Sequence, residues 1–70
     1  MNLIVNGRPA HLDATETIDI PTLLIALKVE TPDYVTVELN GEILAREDFP
    51  ATFVKEGDAV EFLYFMGGGR

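Results

Sequence analysis

A chain of 70 residues that is 47% hydrophobic and contains no cysteine predicts one small globular domain without disulfides or a structural zinc site. Its net charge of −7 disfavours nucleic acid and anionic membranes as partners and favours a basic docking surface, although the charge could also serve solubility alone. The N-terminus shows no signal-peptide pattern, and no stretch approaches the roughly 18 apolar residues of a membrane span, so we expect a cytoplasmic protein.

The first predicted element is a β-hairpin over residues 2–14. The apolar run NLIVN predicts a strand, and Asn6-Gly7 is a strong signal for a two-residue hairpin turn. The segment PAHLDA predicts a short return strand, in which Pro9 favours the start or the edge. His11 has no neighbouring cysteine or second histidine, and we interpret it as an ordinary surface or edge residue.

One amphipathic helix is predicted in the segment TETIDIPTLLIALKV. Its apolar residues recur near one helical face: Ile18, Leu23, Leu24 and Leu27. Thr17 and Asp19 are the candidate N-caps, and Pro21 suits the first helical turn. Pro32 biases the preceding residue away from helix, so the element is expected to end before it.

Period-two alternation returns in the segment YVTVELNGEIL. Alternate residues from Val35 to Leu39 share one face of the predicted strand, and Thr36 and Glu38 share the other. Asn40-Gly41 predicts a second hairpin turn, after which EIL begins a short return strand.

The remainder of the chain is expected to contain one more strand. Residues 45–54 are predicted to be irregular and anchored by Phe49, Phe53 or Val54. A turn is predicted at residues 55–58, where Asp58 would shape the entry into a last strand at 59–65. Arg46 and the two acids after it are interpreted as a solvated connection, although Arg46 could contact an acidic partner.

This order of elements leaves a single helix to cover one face of a mixed sheet. If the first and last strands lie side by side at the centre, they run parallel, and the arrangement is the β-grasp. We therefore predict an α+β domain over residues 1–65, with a four- to five-stranded sheet, followed by a flexible glycine-rich tail at 66–70.

The sheet face away from the helix is predicted to carry an apolar patch. If Val60, Phe62 and Tyr64 face the helix, the alternate residues of the last strand face away from it. The predicted partner-binding surface consists of Ile4, Thr36, Leu63 and Phe65. The alternative interpretation is that central strands are simply apolar on both faces.

The tail is the predicted functional element. Three consecutive glycines, Gly67 to Gly69, cannot contribute to packing, but a backbone without side chains can enter a narrow channel. Five residues from Met66 onward reach at most about 17 Å. A C-terminal carboxylate can be activated as an acyl-adenylate and then attacked by a sulfur or amine nucleophile. We identify no nucleophile with a neighbouring base and no phosphate-binding loop, so a partner would supply the chemistry.

Three stretches of the chain resemble a known family: VNG near the start, VELNGEIL in the middle and EGDAVEFLYFMGGG at the end. Together they are similar to the ThiS sulfur carriers of thiamine biosynthesis, which are ubiquitin-like proteins of the ThiS/MoaD superfamily. The resemblance covers essentially the whole chain, and GDAVEFLYFMGGG is its most specific part. The MoaD family of molybdopterin synthesis shares the fold and the Gly-Gly end and is the second interpretation.

The resemblance implies a protein cosubstrate rather than an enzyme. A ThiF-like adenylating enzyme would use ATP on the terminal carboxylate of Gly69, and a cysteine desulfurase system would supply the sulfur that makes it a thiocarboxylate. A ThiG-like thiazole synthase would accept that sulfur. Met66, Gly67 and Gly68 would thread into the partner's active site, and the chain itself is expected to bind no cofactor and no metal.

Arg70 departs from the family pattern, in which the chain ends at glycine. Three accounts remain open: a native extension that a peptidase removes, an engineered addition, or a true terminus that leaves the protein inactive. Two other functional classes also remain open. One is a passive ubiquitin-like interaction module, and the other is a regulatory subunit that inserts its tail into an enzyme.

Overall fold

The computed structural model describes residues 1–13, 16–29 and 34–64, with Tyr64 described by its backbone alone. The elements in chain order are β1 (Asn2–Val5), β2 (Arg8–His11), β3 (Ile18–Asp19), α1 (Ile20–Ala26), β4 (Val35–Leu39), β5 (Glu42–Ile43), a 3₁₀ helix (Arg46–Ala51), β6 (Phe53–Val54) and β7 (Ala59–Tyr64). The order agrees with the prediction, and the short strands β3 and β6 and the 3₁₀ helix are additions to it.

The main sheet has five strands in the order β2-β1-β7-β4-β5, and β3 pairs with β6 in a separate two-stranded sheet. The first and last strands are parallel neighbours at the centre of the main sheet, whereas its other pairs are antiparallel. Because α1 packs against one face of this mixed sheet, the predicted β-grasp architecture is confirmed.

The two Asn-Gly turns are confirmed, and each also binds β7. Asn6 and Asn40 have φ values of 52° and 51°, and the glycines that follow have 81° and 89°, as a two-residue turn with two left-handed positions requires. The side-chain oxygen of Asn6 accepts a hydrogen bond from the Phe62 N–H at 2.8 Å, and that of Asn40 accepts one from the Ala59 N–H at 2.9 Å. Both hairpin turns therefore hold the last strand.

The core lies between the main sheet and the helices. Its buried apolar residues are Leu3, Ile20, Leu23, Leu24, Val35, Val37, Phe49, Val54, Val60 and Phe62. Phe49 and Val54 therefore anchor the segment before β7, as predicted. Phe53 does not, because its side chain is 53% exposed. Successive side chains of a strand point to opposite faces, and Val54 occupies the inward position of β6.

The helix begins two residues later than the apolar pattern predicts. Ile18 lies in β3, opposite Val54, and does not belong to the helical face. Asp19 is the N-cap, because its backbone is extended and its carboxylate accepts a hydrogen bond from the Thr22 N–H at 2.8 Å. Hydrogen bonding from Thr22 lowers the pKa of Asp19, since it favours the charged form of the carboxyl group. Thr17, the other candidate cap, precedes β3.

The helix ends in a Schellman motif that contains no glycine. The Lys28 N–H donates to the Ile25 carbonyl at 3.0 Å, and the Val29 N–H donates to the Leu24 carbonyl at 3.0 Å. Lys28 occupies the left-handed position of this motif, with a φ of 57°. A lysine there bears a conformational cost that glycine would avoid.

Replacing Lys28 with glycine is expected to stabilise the fold by about 0.5–1 kcal/mol, because the relieved left-handed strain exceeds the entropy that glycine loses on folding. Urea denaturation followed by circular dichroism would measure the change. Lys28→Ala removes the same exposed side chain but keeps the Cβ, so it should give no stabilisation. Equal stabilities of the glycine and alanine variants would contradict this account.

The segment predicted to be irregular contains the 3₁₀ helix and β6, and Arg46 at the start of the 3₁₀ helix has structural contacts. The Arg46 Nη2 donates to the Val35 carbonyl at 2.8 Å, and its guanidinium lies 5.3 Å from the centre of the Phe49 ring. Arg46 thus links the segment to β4 rather than serving only as a solvated connection. No helix in the described ranges has the length and apolarity that a membrane crossing requires.

Candidate functional site: the open face and the base of the tail

The open face, meaning the face of the main sheet opposite α1, carries three of the four residues of the predicted partner-binding surface. Ile4 is 39% exposed, whereas Thr36 and Leu63 are half-buried. Thr36 lies directly opposite Leu63 across β4 and β7. Phe65, the fourth residue, lies outside the described residues, as does the side chain of Tyr64.

The predicted surface is not one continuous patch. Ile4 lies beside Ala59 at the other end of β7, four residues before Leu63. At about 3.3 Å per residue, that separation is roughly 13 Å. Glu61 lies between the two apolar positions on the same face. The structure therefore brings Thr36 and Leu63 together but separates both from Ile4.

Two exposed apolar residues near this face were not predicted from the sequence. Ile43 is 68% exposed and lies opposite Glu38 across β4 and β5. Tyr34 is exposed and directly precedes Val35, whose register partner is Tyr64. Alternation along the strand assigned Glu38 to this face. If the register of the second hairpin had been extended by one pair, Ile43 would have been placed opposite Glu38 and predicted on the same face.

Two glutamates face each other at the centre of the open face. Glu38 of β4 and Glu61 of β7 are direct register partners, and Glu61 is exposed while Glu38 is half-buried. None of the described strand positions on this face is a lysine or an arginine. The open face is therefore locally acidic as well as partly apolar.

The last strand, from which the tail continues, is held on both sides. On the β1 side, the Ile4 and Asn6 N–H groups donate to the carbonyls of Asp58 and Val60, each at 2.9 Å. On the β4 side, the Asn40 N–H donates to the Ala59 carbonyl at 2.7 Å. Pairing with β4 extends to the last described residue. The predicted tail residues Met66, Gly67, Gly68, Gly69 and Arg70 all lie outside the described residues.

Asp58 organises the turn at the start of this strand, as the sequence predicted. Only 6% of the residue is exposed, and its carboxylate accepts hydrogen bonds from the Lys55 N–H at 2.9 Å, the Lys55 Nζ at 3.0 Å and the Asn40 Nδ2 at 3.1 Å. Desolvation, the largest influence, raises the pKa of Asp58. The hydrogen bonds from Lys55 and Asn40 and the Lys55 charge outweigh it, so the pKa lies below its usual value.

A second concave surface lies on the helix side of the molecule. A cleft of about 400 Å³ lies between α1 and the 3₁₀ helix, where Leu24, Ile25, Phe49 and Pro50 contribute apolar walls and Arg46 contributes a guanidinium. It belongs to the face opposite the open face. Within the part of the chain that the structure describes, no group of three metal-ligating side chains converges.

Comparison with known sequences identifies the family of this fold. The sequence model of the ThiS family matches residues 3–69. The chain belongs to the ThiS family. The match covers the β-grasp body and all three tail glycines and stops one residue before Arg70.

Solved structures agree with this membership. The crystal structure of a thiamine biosynthesis protein (ThiS) from Geobacter metallireducens has a TM-score of 0.91 and 65% identity, over 99% of this chain and 100% of that chain. The NMR solution structure of a thiamine biosynthesis protein from the same organism has a TM-score of 0.80 and 64% identity, over 100% of this chain and 90% of that chain. The resemblance recognised in the sequence is therefore confirmed.

Two curated relatives are much longer proteins named thiazole synthase. Over the full length of the present chain, its identity to the relative from Magnetococcus marinus is 33%. Over 99% of the present chain, its identity to the relative from Paramagnetospirillum magneticum is 35%. It spans only about a fifth of each, 21% and 20% respectively. In these relatives, a segment similar to the present chain is part of the same polypeptide as a much longer remainder.

Proposed function

We propose that this ThiS-family chain is a sulfur carrier whose Gly69 carboxylate is adenylated and converted to a thiocarboxylate that donates sulfur for thiazole formation in thiamine biosynthesis. The observation that carries the proposal is the family match over residues 3–69, which includes both the β-grasp body and the glycines. A thiocarboxylate forms on the main chain, and so it requires no cysteine from the carrier.

The proposed chemistry has three steps, all at the terminal carboxyl group. First, a carboxylate oxygen attacks the α-phosphorus of ATP, and pyrophosphate leaves. A persulfide formed by the cysteine desulfurase system then attacks the acyl carbon and displaces AMP, which gives an acyl persulfide. Finally, a thiol cleaves the S–S bond and leaves as a disulfide with the former persulfide carrier, so that the thiocarboxylate is released and sulfur has replaced one oxygen. Glycine suits this position because it leaves the acyl carbon unhindered. The carrier contributes the carboxylate and the docking surface, and it supplies no catalytic residue.

The proposed partners follow from family membership and from the longer relatives. The two longer relatives named thiazole synthase each contain a carrier-like segment and a longer remainder in one polypeptide. This arrangement supports a ThiG-like thiazole synthase as the sulfur acceptor. The family supports a ThiF-like adenylating enzyme that uses ATP, and a cysteine desulfurase system as the sulfur source. A peptidase that removes Arg70 completes the proposed set.

Intact-mass spectrometry tests the proposal directly. A chain ending at Gly69, incubated with a ThiF-like enzyme, ATP, cysteine, a cysteine desulfurase and a thiol reductant such as dithiothreitol, should gain the mass of one oxygen-to-sulfur exchange. A chain ending at Phe65 is the control. We expect it to fold, because the buried apolar residues of the described core all precede Tyr64, and to remain unmodified. Absence of the mass gain in a folded chain ending at Gly69 would contradict the proposed function.

A further inference from the structure

We propose that Asn6 is a site of spontaneous covalent modification, where the side-chain amide reacts with the Gly7 nitrogen and is converted to aspartate and isoaspartate. The inference is independent of the proposed function, because it requires no partner enzyme and concerns the body of the domain. A second Asn-Gly pair, Asn40-Gly41, contains the same reacting groups. The structure distinguishes the two pairs and assigns the reaction to the first.

The reaction consumes one water molecule and releases one ammonia. Hydroxide removes the proton of the Gly7 N–H, and the nitrogen then attacks the Asn6 Cγ to form a succinimide ring. The Cγ–Nδ2 bond breaks, and the departing nitrogen takes a proton from water, which regenerates the hydroxide. Water next opens the ring. Cleavage at Cγ leaves aspartate, and cleavage at the backbone carbonyl leaves isoaspartate, in which the main chain runs through Cγ.

Both turns expose the reacting groups. Asn6, Gly7, Asn40 and Gly41 are all exposed, and no atom beyond the neighbouring residues lies within 4 Å of the position that a β-carbon would take on either glycine. The absence of a side chain on glycine also leaves its nitrogen unobstructed. Water and hydroxide can reach both turns, so access alone does not decide which asparagine reacts.

The first difference is how firmly each side-chain amide is held. Ring closure requires the amide group to rotate toward the following nitrogen, so the hydrogen bonds that hold the amide must break. The Asn40 oxygen accepts from the Ala59 N–H at 2.9 Å, and the Asn40 nitrogen donates to the Asp58 carboxylate at 3.1 Å. The Asn6 oxygen accepts from the Phe62 N–H at 2.8 Å, and its nitrogen has no acceptor among the described residues. The bond that only Asn40 makes is charge-assisted and therefore strong.

The second difference is the charge that follows each glycine. Ring closure begins when the glycine nitrogen loses its proton, and a neighbouring cation stabilises the resulting anion whereas a neighbouring carboxylate opposes it. Gly7 is followed by Arg8, and Gly41 is followed by Glu42. Both charged residues are exposed. Local charge therefore also favours reaction in the first turn.

Modification would weaken the attachment of the first turn to β7. Aspartate keeps an oxygen that can accept from the Phe62 N–H, so it should preserve this hydrogen bond. Isoaspartate adds one carbon to the main chain at a position whose φ is 52°, in a turn that requires two left-handed residues. We expect the isoaspartate product to lose both the turn geometry and the bond to β7.

Peptide mapping by mass spectrometry would test the inference on the folded, full-length chain, kept in neutral buffer at physiological temperature and sampled over time. Asn6 should lose its amide at least about tenfold faster than Asn40, because a charge-assisted hydrogen bond must also break at Asn40. The same chain unfolded in urea is the control. Its two rates should differ by less than about threefold, because only the charges of Arg8 and Glu42 still distinguish the two pairs.

Two results would overturn the inference. One is reaction at Asn40 as fast as or faster than at Asn6 in the folded chain. The other is retention of both amides in the folded chain over a period in which the unfolded chain loses them, because the fold would then protect Asn6 as well.

Exposed substitutions test the contribution of charge without removing any of these hydrogen bonds. Arg8→Gln should slow the reaction at Asn6 about threefold, and Glu42→Gln should accelerate the reaction at Asn40 by a similar factor. Glu47→Gln is the matched control, because Glu47 is exposed and lies on the 3₁₀ helix rather than in either turn, and it should change neither rate.

Thermal unfolding of the separated products tests the consequence for β7. The isoaspartate product should melt at least about 5 °C below the unmodified chain, because the turn and a hydrogen bond to β7 are lost. Asn6→Asp keeps the acceptor and the ordinary backbone, and it should melt within about 2 °C of the unmodified chain. An isoaspartate product as stable as Asn6→Asp would contradict the expected loss of the attachment. None of these measurements uses a partner enzyme, so their failure would leave the sulfur-carrier proposal unaffected.

Discussion

A chain that ends at Gly69 should be adenylated by a ThiF-like enzyme at least about 100-fold faster than the same chain with Arg70 attached, because small displacements of a reacting group cost that much. With Arg70 present, the Gly69 carbonyl is an amide, and the free carboxylate lies one residue further along, about 3.5 Å away. The family match, which stops at Gly69, supports this position as the reactive end. Pyrophosphate release in a single-turnover assay would measure both rates.

Two control chains make this test specific to the position of the carboxylate. A chain ending at Gly68 displaces the carboxylate by one residue in the opposite direction and should also be slow. Arg70→Ala in the full-length chain removes the positive charge but keeps the extra residue, so it should remain as slow as the wild type. The chain with Arg70 and the chain ending at Gly69 could instead be adenylated at equal rates. That result would show that neither removal of Arg70 by a peptidase nor the position of the terminal carboxylate matters for adenylation.

Replacement of Asp58 by alanine should destabilise the fold by about 1–3 kcal/mol, because it leaves partly buried donors without their acceptor. The Lys55 backbone N–H and the Asn40 amide both donate to this carboxylate. For a domain of this size, whose expected stability is about 4–10 kcal/mol, the loss is a large fraction of the total. Thermal and urea unfolding would measure it, and Asp13→Ala, which changes an exposed aspartate in the same way, should have little effect.

The same carboxylate predicts a pH dependence of stability. Because the pKa of Asp58 is lower in the folded state, the ionised group contributes stability above the unfolded pKa of about 4, and that contribution is lost as the pH falls through the folded value. The difference in unfolding free energy between wild type and Asp58→Asn should therefore be constant from about pH 5 to 8 and should narrow below about pH 4. A difference that stays constant into acid would contradict the assignment.

Local sequence signals were sufficient to predict the main helix and the two hairpins of the fold. Asn6-Gly7 and Asn40-Gly41 specify turns with two left-handed residues, which few other pairs accept, so the hairpins were predictable. The apolar spacing around Leu23 and Leu24 indicated a helix because a helical face is long enough to show a period.

Features that depend on pairing between distant segments were not predictable. Strands β3 and β6 are two residues each, too short to show a period, so Ile18 was assigned to the helix and Phe53 remained one of three candidate anchors. The register of β1 on β7 separates Ile4 from Leu63, and the register of β4 on β7 places Glu38 opposite Glu61. Register depends on the whole sheet, and no local pattern reports it.

The function of the tail residues was predicted in a different way. Packing could not account for Gly67 to Gly69, and the resemblance to the ThiS family then suggested a reaction for them. The structure contributes the position of the strand that leads to them, between β1 and β4. Their proposed role rests on family membership and awaits the mass-spectrometric test.

The parallel pairing of β1 with β7 has a mechanical consequence. A partner that pulls on the C-terminal end would load β7 along its own length, so the bonds to Asn6 and Asn40 and the ladders on both sides would be sheared together rather than opened one after another. Rupture under such a load is governed by the unfolding rate. The fold should therefore resist unravelling when its C-terminal end is pulled, and single-molecule pulling from the C terminus would measure that resistance.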